Sequence, residues 1–232
     1  MSTLDPETLE IKYAIADAAV DLYLKGNGYF VIKDVAKATG IDPADVFDYF
    51  PNKEAILQFY YTAIIYRYRF MIDEISGFEA YSISEKFSNF AYASFDMLDE
   101  KPAFVDNTFE QLILQSHTTT DFEQEVEKLL KEFLEEDSRL STGSTIIMNS
   151  CFYAFLRRKY LETIRFRIYD TSEGHELTME FIDKLTSLLQ ELLYNTILDQ
   201  GFELGKFLYS NKKTFLNQMP LIKKIFSKIE IR

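Results

Sequence analysis

The 232-residue chain has no tryptophan and a single cysteine, Cys151. One cysteine excludes an intrachain disulfide and fits a reducing compartment. Its two histidines, His117 and His175, lie far apart in sequence. With one cysteine they offer no zinc-ligand spacing, so no metal is expected. Both read as ordinary helix-end residues. Eight glycines and five prolines are few, so few loops need special backbone angles. There is no glycine-rich phosphate loop and no serine nucleophile elbow. No catalytic centre and no cofactor follow from this pattern, and the chain does not read as an enzyme. No apolar run approaches the roughly 18 residues of a membrane span. The opening "MSTLDPETLE" lacks the basic start and apolar stretch of a secretion signal. The expectation is a soluble, cytoplasmic protein with no membrane partner.

What is present is apolar and acidic. Hydrophobic residues make up 47 % and aromatics 16 %, all Phe and Tyr. Charged residues reach 27 %, with a net charge of −12. The length fits one large domain, or a small domain joined to a larger one. Charge is unevenly spread. Residues 1–55 hold five Lys/Arg against ten Asp/Glu, whereas residues 201–232 hold seven against two. An acidic chain is a poor default partner for nucleic acid.

Nearly every segment has helical period. Ile11, Ile15, Ala18, Ala19 and Leu22 recur at spacings of three and four, on one helix face. Asp5-Pro6 is a helix start, and "KGNGYF" a stop. A short second helix places Ile32, Val35 and Ala36 inward and ends at Thr39-Gly40. Asp42-Pro43-Ala44-Asp45 opens a third helix over Pro43–Phe50, with Val46, Phe47 and Phe50 on its apolar side. Asn52 caps a fourth helix, "KEAILQFYYTAIIYRYRFMIDEI". Later starts are Ser82-x-x-Glu85, Pro102, Thr120-x-x-Glu123, "STGST" before "IIMNSCFYAFLRRKYLETIRFRIY", and "TSEG" before Glu176. No hairpin signal of alternating residues around Asn-Gly occurs. The fold class expected is all-α, with eight to ten helices.

Three short helices with a tight turn between the second and third make a helix-turn-helix, whose last helix enters the DNA major groove. The stretches "IADAAVDLYLKGNG", "IKDVAKATGI" and above all "VFDYFPNKEAIL" resemble the amino-terminal domain of the tetracycline-repressor (TetR) family. The resemblance covers residues 9–57. It implies a helix-turn-helix DNA-binding domain over 1–55 and a helical ligand-binding and dimerisation domain over 56–232. It also implies roles. Tyr49 donates its hydroxyl to a phosphate, and Lys53 binds a phosphate beside the positive end of the fourth helix. Lys33 belongs to the same DNA-binding set. Pro43, Ala44, Asp45, Phe47 and Asp48 face the groove. The chain departs from the family pattern at Asp45, Phe47 and Asp48, and in having Phe30-Val31 where a Ser/Thr cap is usual. An exposed carboxylate near a phosphate costs on the order of 1 kcal/mol. Specific binding exceeds non-specific binding by about 4–10 kcal/mol, so acids weaken binding without forbidding it.

In the larger part, Phe87, Phe90, Tyr92, Phe95, Met97, Phe104, Phe109, Met148, Phe152, Tyr153 and Phe155 fit either a packed core or the walls of a ligand cavity. Arg157, Arg158 and Lys159 read as exposed. The run from Glu176 carries two apolar stripes. One is Leu177, Phe181, Leu185, Leu188 and Leu192; the other is Ile182, Leu189, Leu193 and Ile197. Two stripes need two neighbours: the chain's own core and a second subunit. "FLYSNKKTFLNQMPLIKKIFSKI" is the candidate for a partner helix in a homodimer built from late helices. The function expected is a ligand-responsive repressor of the TetR type. Its partners are a palindromic operator and an apolar or amphipathic small-molecule effector. The alternative is a protein of the same fold that binds a lipid or hydrophobic small molecule and has lost DNA binding, resembling TetR-fold proteins that bind isoprenoid lipids. The acid bias of residues 1–55 favours that alternative.

Overall fold

The structure, a computed structural model, describes residues 5–210. Among these residues there are eleven α-helices and no strand, more helices than the eight to ten expected. Most of the candidate partner segment, residues 211–229, lies outside the described part.

Three helices form the first unit: α1 (Pro6–Lys25), α2 (Ile32–Thr39) and α3 (Val46–Tyr49). Asp5 caps α1 by accepting from the Thr8 amide, and Ile15, Ala16, Ala19 and Val20 are its buried side. α4 (Lys53–Asp73) runs through the boundary expected at residue 55. Its first turns carry the small unit, and the rest enters the larger bundle. A helix buried on nearly all sides is a core helix, and α4 buries ten of its residues.

The bundle continues with α5 (Ile83–Leu98), α6 (Pro102–Phe109), α7 (Asp121–Glu135), α8 (Thr142–Ile147), α9 (Ser150–Tyr169), α10 (Glu176–Tyr194) and α11 (Ile197–Ser210). The two capping boxes form as read: Ser82 with Glu85 on α5, and Thr120 with Glu123 on α7. A π-turn, Glu110–Leu114, follows α6, and Gln58 Nε2 donates to the Leu112 carbonyl there at 2.9 Å. The helix expected from "IIMNSC" onward is instead two. Ser141 caps α8, and the chain leaves helical geometry at Met148 before Asn149 caps α9.

Aromatic side chains fill the centre. Tyr61 stacks on Phe104 and touches Phe109 and Phe122, while its hydroxyl meets Thr108 Oγ1 at 2.7 Å. Phe90 stacks on Tyr160 with centroids 4.6 Å apart, and the Tyr160 hydroxyl donates to Ser94 at 2.7 Å. Burial pushes the Tyr61 and Tyr160 phenols far up, so both remain neutral hydrogen-bonding groups.

The small unit is fastened to the bundle along the later half of α1. Lys101 Nζ donates to Asp21 at 2.6 Å and lies 3.7 Å from Asp17. Tyr23 meets Phe104 edge-on at 5.6 Å.

Candidate nucleic-acid interface and effector cavity

α2 begins without a side-chain cap, because Val31 stands where a hydroxyl would accept the first amides. It ends at Gly40, whose φ of +73° is left-handed and suits glycine. The Gly40 and Ile41 amides both donate back to the Ala36 carbonyl. The chain then reverses, and Asp42 Oδ1 accepts from the Ala44 amide at 2.8 Å. That side-chain bond holds residues 43–45 in a turn rather than in a regular helix. Phe47 and Asp48 donate to Ala44 and Asp45, three residues back, so the entry is tight. The helix expected over Pro43–Phe50 is therefore a turn followed by one α-turn, Val46–Tyr49. Phe50 adopts extended backbone, as a residue before proline does.

Val46 and Phe50 are buried, and Phe50 packs edge-on against Phe59 at 5.3 Å. Phe47 does not join that apolar side: it is 54 % exposed. Pro43, Ala44, Asp45 and Asp48 are exposed with it, Lys33 is exposed on α2, and Tyr49 is half-buried. Asp34 and Asp42 are exposed as well.

Lys53 has a partner that sequence reading did not find. Its ammonium donates to the Phe30 carbonyl at 2.5 Å and lies over the Tyr29 and Phe30 rings at 5.3 and 5.2 Å. Asn52 caps α4 by accepting from the Ala55 amide at 2.8 Å, which fixes where Lys53 emerges. An ammonium has three donors, so one bond to Phe30 leaves two for another acceptor.

The candidate cavity residues divide. Phe87 and Phe90 line a cavity of about 130 Å³ between α5, α7, α9 and α10, with Leu130, Phe155, Tyr160 and Leu189. Met148 and Tyr153 lie at a separate, wider recess with Asp137 and Thr145. Phe152 is half-buried with its ring 6.0 Å from that of Tyr153. Phe104 and Phe109 are closed in by Tyr60 and Tyr61, and Phe95 lies under the Arg167 guanidinium at 5.1 Å. All three rings are buried, with no more than 1 % of their surface exposed. Of the three cations read as exposed, Arg157 and Lys159 are instead half-buried, paired with Glu127 at 2.7 Å and Glu162 at 2.6 Å. Lys159 edges the 130 Å³ cavity.

α10 has two unlike sides. Ile182, Thr186 and Leu193 are buried against the bundle, while Leu177, Phe181, Leu188 and Leu192 are exposed. Ile197 does not continue the buried stripe. The helix stops at Asn195, and Ile197 opens α11 in an exposed position. Exposed Phe166 of α9 packs beside Phe181 at 5.7 Å and widens the outer apolar face.

Residues 86–208, just over half of the chain, match the family model described as tetracyclin repressor-like, C-terminal domain. A TetR transcriptional regulator from Nitrosomonas europaea ATCC 19718 has a similar fold, with a TM-score of 0.58 at 19 % identity, over 79 % of this chain and 98 % of that one. A TetR transcriptional regulator from Rhodococcus sp. RHA1 is also similar, with a TM-score of 0.52 at 15 % identity, over 79 % of this chain and 97 % of that one. No curated protein matches by comparison. With the carboxy-terminal match, the Gly40 turn and the eleven-helix bundle taken together, the chain belongs to the tetracycline-repressor family.

Proposed function

We propose that this protein is a dimeric, ligand-responsive DNA-binding regulator that acts as a repressor in the cytoplasm. The observation that carries the reading is the outward surface of the Gly40 turn and α3, set directly before the capped start of α4. On it, Lys33, Pro43, Ala44, Asp45, Phe47 and Asp48 face outward, with Tyr49 and Lys53 at its edge. In this reading Tyr49 and Lys53 hold the phosphate backbone, and the exposed residues of the turn and α3 meet base edges. Asp45 or Asp48 can accept a hydrogen bond from cytosine N4. The second copy docks on the outer side of α10, where an unpaired apolar face is a usual mark of association. Two copies then present two reading turns to a palindromic operator, with half-sites about 34 Å apart or a multiple of it. The effector is apolar or amphipathic and enters at the cavity lined by Phe87 and Phe90, beside α10, which widens to admit it. By altering how α10 packs, it changes the spacing of the reading turns.

A second reading keeps the fold and drops the DNA. Its support is specific: Asp34, Asp42, Asp45 and Asp48 crowd the outward surface, while Lys53 is engaged with Phe30. The protein would then bind a lipid or hydrophobic small molecule only. Selection of bound sequences from random duplex DNA at low salt separates the two. Enrichment of a palindrome is the expected result. No enrichment at any salt concentration overturns the regulator and leaves the second reading.

A further inference from the structure

A cleft of about 870 Å³ lies between α1, α4 and α7, away from both the reading turn and the cavity at Phe87. Its volume is that of a small-molecule site, typically about 300–1,000 Å³. Leu9 and Tyr13 of α1, Tyr66, Phe70 and Met71 of α4, and Met97 of α5 supply apolar and aromatic wall. Phe70 is 70 % exposed, so a bound molecule would shield a large ring from water.

Charge sorts the occupant. Three cations line the cleft, and each is already neutralised. Arg67 holds Glu100 through two bonds, at 2.9 and 2.5 Å. Arg69 is bonded to Glu132, and Lys128 lies 3.7 Å from Glu125. Glu10, Asp73 and Glu136 also line the cleft, and among the described residues none of the three has a salt-bridge partner. The uncompensated charge is therefore negative. An anion is repelled. A small, strongly hydrated inorganic cation gains nothing from rings and methionines. A cation spread over an apolar body is attracted by the carboxylates and by the aromatic wall of Tyr13, Tyr66 and Phe70 at once.

We propose that this cleft binds an organic cation with a broad apolar body, of the quaternary ammonium or phosphonium class. The site joins the small unit to the bundle, because α1 supplies one wall and α4 and α7 supply the others. Binding there does not depend on whether the protein reads DNA.

The test uses the full chain and two probes of one shape and opposite charge. Tetraphenylphosphonium and tetraphenylborate are each titrated into the protein by calorimetry. The phosphonium should bind saturably, one per chain, and the borate at least 10-fold more weakly. Glu10→Gln combined with Asp73→Asn should weaken the phosphonium about 10-fold and leave the borate no weaker. Phe70→Ala should weaken the phosphonium by a similar factor. All three positions are exposed, and unchanged circular dichroism would confirm the fold. Absence of saturable binding, borate binding as tight as the phosphonium, or phosphonium binding that survives both variants would each overturn the assignment.

Discussion

Replacing Lys53 with methionine separates the packing role its ammonium holds from the phosphate role proposed for it. The stem is kept, so its packing beside Tyr29 and Phe30 survives. The bond to the Phe30 carbonyl and the cation over two rings are lost. A hydrogen bond to a charged group contributes about 1.5–3 kcal/mol when buried, and less at a half-buried site such as this. An exposed cation over a ring adds about 0.5–1 kcal/mol. After allowance for solvent, the loss is about 1.5 kcal/mol, or a fall in Tm of about 3–6 °C for a protein of this size. The DNA role is read differently. Each phosphate contact contributes about 0.9 to the slope of log affinity against log salt. Two Lys53 contacts in a dimer contribute about 1.8, which is about 12-fold in affinity between 50 and 200 mM salt. Lys53→Met should flatten the salt dependence by that amount on an operator and on a scrambled duplex alike. The assay is a fluorescence-anisotropy titration of both duplexes at both salt concentrations, with a melting curve for each protein. A lower Tm with an unchanged slope would refute the phosphate role and leave Lys53 as a bracket between α4 and Phe30.

Three further outcomes are expected. Leu188→Glu, at a position 67 % exposed on the outer side of α10, should turn a dimer into a monomer in sedimentation at micromolar concentration, because a dimer would bury an unpaired charge; a native protein that is monomeric at all concentrations would remove the interface. Asp48→Asn should raise affinity for scrambled DNA by removing repulsion and, if it touches a base, shift preference toward adenine, whereas unchanged binding in a sequence-selection assay would place α3 outside the groove. Burial alone would raise the Asp137 carboxyl, but hydrogen bonds from Arg139 and Tyr194 outweigh it and hold it below the usual aspartate range. Its stabilisation is thus complete above about pH 4 and is lost as pH falls through the lowered folded value, so Asp137→Asn should narrow the stability gap between pH 6 and pH 3 in urea melts, and an unchanged gap would count against it.

Local chemistry was readable in the sequence, and distant geometry was not. The Ser82–Glu85 and Thr120–Glu123 boxes join residues three apart, so the pattern contains the whole interaction. The two-sided pattern of α10 likewise needs only helical period; it separates Ile182 from Leu188, but packing decides that Ile182 is the buried one and Leu188 the exposed one. The length of α3 depends on Asp42 accepting from Ala44 in preference to a regular helix start, a competition that residue type alone leaves open. The Lys53 bond depends on bringing Phe30 close across 23 positions. Among the aromatics, period and composition do not distinguish Phe104, wedged between tyrosines, from Phe87, which edges a cavity. The cleft beside Phe70 draws on residues 6 to 136, and no short motif could carry it.

The fastening of α1 has a mechanical consequence. Lys101 grips Asp17 and Asp21 near one end of the helix, while Leu9 and Tyr13 near the other end form a wall of the cleft. Tyr13 also packs on Phe59 of α4, so a tilt of α1 about the Lys101 clamp would have to slide that contact. From Leu9 to Asp21 the arm is about 18 Å long at 1.5 Å per residue. A tilt of about 5° shifts the far end by only about 1.5 Å over that length. Because α2 packs directly on α1, the same tilt would carry the Gly40 turn with it. If the turn reads DNA as proposed, a small stroke at the open end would change its aim, and a weaker Lys101 clamp would lower the resistance to that stroke.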